Sequence, residues 1–146
     1  MIQYLLDTNI LLAWMRWGTL LQVYLQTTFQ LDTISTVPSI SIVSAAELRV
    51  LALQNSWGPH KMRMMDSLLT YLIPVPIPYK TILDSYVEID DFSRRAGVKM
   101  GKNDLWIAAT AHVETATILT TDKEFDHLPQ SLVKHLYIDP ASTNTV

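Results

Sequence analysis

The chain has 146 residues, of which 49% are hydrophobic and 17% charged, and this composition predicts one globular domain over residues 1–146. No apolar run reaches the roughly 18 residues that cross a membrane, and "MIQYLLDTN" lacks the basic region and cleavage site of a signal peptide, so we expect a cytoplasmic protein. The absence of cysteine excludes disulfides, thiolate metal sites and a cysteine nucleophile.

The formal net charge is −3, from 14 acidic and 11 basic residues. This balance argues against a nucleic-acid-binding protein, because phosphate contacts usually require a surplus of lysine and arginine. The argument does not hold if several carboxylates converge on divalent cations. Such ions reverse the local charge at the point where a phosphate approaches.

Apolar strand-like segments alternate with segments of helical period along the chain. The predicted strands are 2–6, 39–43, 73–78, 116–121 and 136–139. The predicted helices are 9–16, 19–30, 45–54, 59–72, 79–96 and 103–114. Ser44 is the predicted N-cap of the third helix, with Glu47 three residues later as in a capping box, and Pro59 suits the first turn of the fourth. The alternation predicts an α/β fold with a mostly parallel sheet covered on both faces.

Four acidic residues fall at the ends of predicted strands or near the starts of helices. Asp7 ends the first strand, Glu47 lies one helical turn beyond the second, Asp104 opens a helix and Asp122 directly follows "ATILTT". In parallel sheets, functional sites collect at the carboxyl ends of the strands. We therefore expect the four carboxylates to meet in one pocket.

Each of these acids also has a purely structural interpretation. Asp7 suits a helix cap, Glu47 a capping box and Asp122 a turn, while Asp104 at a helix start is worth only ~0.3–1 kcal/mol. As a set they are harder to explain, because clustered carboxylates repel one another and lose hydration unless protons or cations compensate. Oxygen ligands without cysteine favour Mg²⁺ or Mn²⁺ over zinc, and two such ions suit phosphodiester hydrolysis.

Four segments of the chain resemble, in order and spacing, the PIN-domain ribonucleases and particularly the bacterial VapC-type toxins. They are "LLDTNILLAW", "SIVSAAELRVLA", "KNDLWIAATAH" and "ILTTDKEFDHL", and the resemblance spans nearly the whole chain. It implies a compact three-layer α/β/α sandwich and a Mg²⁺- or Mn²⁺-dependent endoribonuclease that leaves a 5′-phosphate and a 3′-hydroxyl. It also implies a homodimer, and an antitoxin protein that holds the toxin inactive.

The resemblance also assigns roles to individual residues. Asp7, Glu47, Asp104 and Asp122 fall at the family's acidic quartet. Asp7, Asp104 and Asp122 are then expected to hold one or two cations, and Glu47 to complete the metal site or orient the attacking water.

Three further residues are expected to support this site by the same resemblance. Asn9 matches a polar residue beside the metal, and Thr121 matches a position whose hydroxyl or amide supports Asp122. Asp126 is a candidate outer carboxylate, with a solvated loop charge as its alternative.

Other features are candidates for contacts with substrate or partner. Arg16 is placed to reach the substrate or an inhibitor segment. The helical segments 19–29 and 62–72 carry much apolar surface for a small domain and are candidate interfaces, with ordinary core packing as the alternative.

Two other functional classes compete with the nuclease. In a haloacid-dehalogenase-like phosphatase Asp7 would be the nucleophile, but that chemistry needs a second aspartate two residues later, where Asn9 stands. The other alternative is a catalytically silent PIN-like module that binds RNA or protein. The presence of all four acids argues against this second alternative.

Overall fold

The computed structural model describes residues 2–16, 18–31, 37–75 and 79–141. The strands in these residues are β1 (Tyr4–Leu6), β2 (Ser39–Ser41), β3 (Ile73–Val75), β4 (Thr117–Thr120) and β5 (His135–Tyr137). The helices are α1 (Thr8–Met15), α2 (Leu20–Phe29), α3 (Ile42–Gln54), α4 (Pro59–Tyr71), α5 (Tyr79–Arg95) and α6 (Lys102–Glu114). Each predicted element therefore has a counterpart in the structure.

The five strands form one sheet in the order β3-β2-β1-β4-β5, and every neighbouring pair is parallel. The predicted α/β class is confirmed. The first strand lies at the centre, where Leu6 pairs with Ile40 of β2 and with Leu119 of β4. The carboxyl ends of β1, β2 and β4 consequently lie side by side.

Helices cover both faces of this sheet, because successive side chains of a strand point to opposite faces. Leu5 and Ile118 belong to a buried cluster that includes residues of α5 and α6. The next residues, Leu6 and Leu119, belong to a second cluster, with residues of α1, α2, α3 and α4. The molecule is therefore a three-layer α/β/α sandwich, as the resemblance implied.

The start of α3 differs from the prediction. β2 ends at Ser41, not at residue 43, and the Ser41 hydroxyl caps α3 by accepting a hydrogen bond from the Val43 amide at 3.2 Å. The predicted Ser44 cap, and with it the capping box to Glu47, is therefore wrong. The Ser44 hydroxyl is buried and has no hydrogen-bond partner among the described residues.

The other boundaries differ by a few residues. Pro59 begins α4 as expected, α5 ends just before Gly97, whose φ is +79°, and α6 begins at Lys102, one residue before its predicted start. Residues 76–78 of the predicted strand 73–78 lie outside the described part of the chain. In the parts that are described, no helix is long and apolar enough to span a membrane.

Candidate active site

A pocket of about 290 Å³ opens at the carboxyl edge of the sheet, beside the first turn of α1. All four acids that the sequence singles out line this pocket, which we call the carboxylate pocket. Its lining consists of Asp7, Thr8, Asn9, Leu12, Glu47, Asp104, Asp122 and Glu124. The structure therefore brings the four predicted carboxylates together, while their catalytic roles remain predictions.

Asp7 is the most firmly held of these carboxylates. It follows β1 directly and caps α1, with Oδ1 accepting a hydrogen bond from the Thr8 amide at 2.8 Å. Its Oδ2 accepts from the Thr120 hydroxyl at 2.8 Å and from Asn9 Nδ2 at 3.2 Å. With 5% of its surface exposed and three donors around it, the side chain is fixed in one orientation. The cap and the proposed site ligand are thus the same carboxylate.

Thr120, the last residue of β4, connects two acids of the pocket. Its buried hydroxyl donates to Asp7 and accepts from the Asp122 amide at 3.0 Å. The sequence analysis expected Thr121 to support Asp122 through a hydroxyl or an amide. In the structure the backbone amide of Thr121 donates to Asn9 Oδ1 at 3.1 Å. Asn9 therefore spans the ends of β1 and β4, while Thr120 takes the hydroxyl role.

Glu47 is tied to the pocket by a contact between helices. The Thr8 hydroxyl, in the first turn of α1, donates to Glu47 Oε1 on α3 at 2.9 Å. This bond takes the place of the wrongly predicted capping box. It orients the Glu47 carboxylate toward the amino end of α1, on the side of the pocket that faces α3.

The remaining acids lie at the rim. Asp104 is half-buried in the first turn of α6, and Asp122 is exposed in the loop after β4. Asp122 Oδ1 accepts a hydrogen bond from the Glu124 amide at 3.3 Å, a local turn that brings Glu124 to the pocket lining. The sequence analysis missed Glu124. Its candidate outer carboxylate, Asp126, is exposed and does not line the pocket, which agrees with the alternative of a solvated loop charge.

The negative charges in the pocket affect the protonation of Asp7. Burial raises the pKa of the Asp7 carboxyl above its usual value, against the opposing effects of the hydrogen bonds from Thr120 and Thr8. Repulsion from Glu47 and Asp122 raises this pKa further. The pocket therefore disfavours the charged form of its own central carboxylate when nothing positive is bound.

No lysine or arginine compensates these acids by an ion pair within the described residues, where the salt bridges lie on α5, between Asp90 and Arg94 and between Asp91 and Arg95. Within the same residues, no group of three histidine, aspartate or glutamate side chains has an arrangement that could hold a metal ion without a change of side-chain conformation. The carboxylates thus line one pocket, but their oxygens do not surround a single position that a metal ion could occupy.

Comparisons with known proteins agree with this geometry. The pattern of the PIN domain family matches residues 4–130. No curated protein sequence matches the chain.

Two solved structures are each 25% identical to this chain. One is VapBC2 of Rickettsia felis bound to a DNA fragment from its promoter, with a TM-score of 0.80, covering 95% of this chain and 100% of that one. The other is VapBC-1 of nontypeable Haemophilus influenzae, with a TM-score of 0.74, covering 94% of this chain and 98% of that one.

A DNA-bound VapBC from Salmonella typhimurium, 20% identical, shares the fold with a TM-score of 0.78 over 94% of this chain and 98% of that one. The family match covers most of the chain, and the fold of the solved structures agrees with it. The chain therefore belongs to the PIN domain family.

Proposed function

We propose that this protein is a Mg²⁺- or Mn²⁺-dependent endoribonuclease and the toxin of a toxin–antitoxin pair. The observation that carries the proposal is Asp7, a buried carboxylate held by three hydrogen bonds and facing a pocket lined by three more predicted acids. A folded protein keeps such an uncompensated cluster at a cost in stability. Binding of divalent cations would compensate the negative charges of this cluster.

The donors fit a hard divalent cation. Carboxylate oxygens dominate the pocket and Asn9 adds an amide, which is the ligand set that Mg²⁺ and Mn²⁺ prefer. Asp7, Asp104 and Asp122 would hold the cation, with Glu47 completing the site. Asp122 and Glu124 are exposed, and exposed side chains change rotamer within nanoseconds, so closing around an ion needs no movement of the sheet.

The protein's own residues would prepare the reaction as follows. Thr8, Asn9 and Thr120 fix Asp7, while the Thr8 hydroxyl orients Glu47 across the pocket. Glu47 is then positioned to accept a proton from the attacking water. A bound cation would supply neutralisation of the phosphate and a lower pKa for water. In-line attack on an RNA phosphodiester would leave a 5′-phosphate and a 3′-hydroxyl.

The toxin assignment is supported by the solved VapBC complexes that this chain resembles. We propose an antitoxin partner and a homodimer. Of the two candidate interfaces from the sequence, α2 exposes Leu20 and Val23, and α4 contributes Met64 and Leu68 to an apolar groove beside α1. Both assignments remain predictions that light scattering on the chain, alone and with its partner, would test.

The first experiment compares wild type with Asp7→Asn on end-labelled structured RNAs in Mg²⁺, in Mn²⁺ and in EDTA. We expect cleavage by wild type with either metal, none in EDTA, and a loss of at least ~100-fold in Asp7→Asn, because even outer residues of metal sites contribute 10–100-fold. Asparagine keeps the shape of the side chain, so circular dichroism should show an unchanged fold.

A thermal-shift measurement separates binding from cleavage. Mn²⁺ should raise the melting temperature of wild type, because a ligand that binds only the folded state stabilises it, and should raise that of Asp7→Asn much less. Folded wild type that neither binds Mn²⁺ nor cuts any RNA would overturn the proposal in favour of the silent binding module. The phosphatase alternative is already excluded by membership of the PIN family.

A further inference from the structure

A second groove of about 400 Å³ adjoins the carboxylate pocket. It is lined by Leu12, Arg16, Leu51, Asn55, Trp57 and Lys61, and we call it the basic groove. Leu12 of α1 lines both cavities, so the two are neighbours that share this side chain. The acidic and basic surfaces therefore lie next to each other, with Leu12 between them.

Arg16 lies on the same face of α1 as Thr8 and Leu12, which line the carboxylate pocket. Residues 8, 12 and 16 are each four apart, so they occupy one face of α1 and its C-cap. Two helical turns place the Cα atom of Arg16 about 12 Å from that of Thr8. A single RNA strand with one phosphate among the carboxylates spans this distance within a few nucleotides.

Lys61 approaches the same groove from α4. Its ammonium lies 4.0 Å from the centre of the Trp57 ring, so the aromatic side chain fixes the cation in place. Lys61 stands in the first turn of α4, where the helix dipole disfavours a positive charge, so helix stability does not explain it. Neither Lys61 nor Arg16 forms an ion pair with any residue in the described ranges.

We propose that the basic groove is a subsite for the RNA backbone, in which Arg16 and Lys61 bind phosphates of the strand next to the cleaved bond. The proposal rests on the proposed nuclease function and assigns the direction in which the strand leaves the site. In a chain of net charge −3, two cations in the groove next to an acidic pocket, with no ion pair to the described residues, offer the phosphate contacts that the acids cannot make. The Trp57 ring contacts the Lys61 ammonium and also adds an aromatic surface to the groove.

The test measures binding separately from cleavage. A fluorescein-labelled 20-nucleotide RNA of random sequence is titrated in EDTA with wild type, Arg16→Gln, Lys61→Gln and the double variant, over a series of salt concentrations. Lys80→Gln is the matched control, because Lys80 is also an exposed lysine in the first turn of a helix, α5, but lies outside the groove. Circular dichroism verifies that each variant is folded.

The slope of log K against log salt is negative, and each groove substitution should reduce its magnitude by about 0.7, the value for one phosphate contact to a single strand. The double variant should reduce it by about twice that amount, and Lys80→Gln should match wild type. With Mg²⁺ present, the groove variants should raise KM while leaving kcat close to wild type, since they lie outside the carboxylate pocket.

Slopes for the groove variants equal to that of Lys80→Gln would overturn the subsite, even if wild type cleaves RNA normally. Wild type that binds no RNA would overturn it too. If wild type binds RNA and the groove variants show the expected changes in slope, but wild type cuts no RNA in any metal, the subsite stands and the nuclease proposal fails. An unchanged RNA slope together with weaker binding of a poly-glutamate peptide would assign the groove to an acidic protein segment and would also overturn the subsite.

Discussion

Two regions of this molecule place acidic side chains in opposite surroundings. At the end of α5, Asp90 lies 2.9 Å from Arg94, and Asp91 lies 2.8 Å from Arg95, each pair four residues apart on an exposed helix. In the carboxylate pocket the acids face one another, and burial together with repulsion raises the pKa of Asp7. The same residue types are thus compensated in one region and left uncompensated in the other.

The two regions differ in what their acidic residues cost and contribute. Exposed ion pairs at i, i+4 contribute only ~0.3–0.5 kcal/mol, but they cost nothing in burial. Asp7 is desolvated and still surrounded by hydrogen-bond donors from Thr8, Asn9 and Thr120, which hold it in place without neutralising it. Such a network stabilises one orientation of a charge that the fold itself disfavours.

The largest effect that would break this contrast is expected from Thr120→Val. Valine removes the hydroxyl that donates to Asp7 and accepts from the Asp122 amide while keeping the branched shape. If the proposed nuclease function holds, RNA cleavage should fall ~10–100-fold, the range seen when a residue that orients a metal ligand is replaced. The free energy of unfolding should fall by ~1–3 kcal/mol, because a buried hydrogen-bond network loses one member.

Thr70→Val is the matched control for this prediction. The Thr70 hydroxyl donates to the Asp66 carbonyl at 2.8 Å on the exposed side of α4, far from the pocket lining. It should change the cleavage rate little. Equal activity of the two variants, measured with saturating Mg²⁺, would mean that Thr120 does not position the acids.

A smaller effect concerns the pH dependence of stability in EDTA. The pKa of Asp7 is raised in the folded state, so the folded protein binds the proton more tightly than the unfolded chain. The stabilisation by this proton is complete below the ordinary pKa of an aspartate and is lost as pH rises through the raised one. The Asp7→Asn variant has no carboxyl group at this position, so it does not lose this stabilisation as pH rises.

The melting temperature of Asp7→Asn relative to wild type should therefore rise as pH increases from about 4, and level off above the raised pKa. Thermal denaturation by circular dichroism across this range measures it. A difference that becomes smaller with rising pH would show that the folded state favours the Asp7 carboxylate, contrary to the burial argument.

The smallest effect is expected on α5. Asp90→Asn breaks the pair with Arg94, whose side chain is 61% exposed, so the free energy of unfolding should fall by no more than about 0.5 kcal/mol. RNA cleavage should stay at the wild-type rate. Urea denaturation and the same cleavage assay measure both quantities, and a loss of activity comparable to that of Thr120→Val would remove the contrast between the two regions.

Local pattern alone predicted the order of the elements and the meeting of the acids. The apolar runs before Asp7 and Asp122 read as buried strands, and parallel strands bring their carboxyl ends to one edge. Where a residue's role depends only on following a strand, as for these two acids, the sequence is sufficient.

The cap of α3 needed the sheet. Ser39, Ser41 and Ser44 all suit a helix start, and the residues between them are apolar enough for a strand or a helix. The register of β2 with β3 extends to Ser41, where the chain turns into the helix. Glu47 is then bonded by Thr8, a residue 39 positions away that no local pattern reveals.

The choice between neighbouring residues was decided in the same way. Leu6 pairs with Leu119, so the next residues, Asp7 and Thr120, come side by side and point to the same side of the sheet. The hydroxyl of Thr120 therefore contacts Asp7 and the Asp122 amide, where the sequence analysis expected a hydroxyl or amide of Thr121 to support Asp122. The turn at Asp122 brings Glu124 to the pocket instead of Asp126.

The sequence by itself determined the α/β class and the positions of the four acids, because these follow from hydrophobic period and from position along the chain. The family was indicated by the resemblance of four segments and is shown by the match over residues 4–130. Only the tertiary structure decided which hydroxyl and which rim carboxylate lie at the pocket, and that Arg16 and Lys61 line one neighbouring groove. Those contacts join residues distant in sequence, and strand register and helix packing set them to within a side-chain length, a precision that local patterns do not carry.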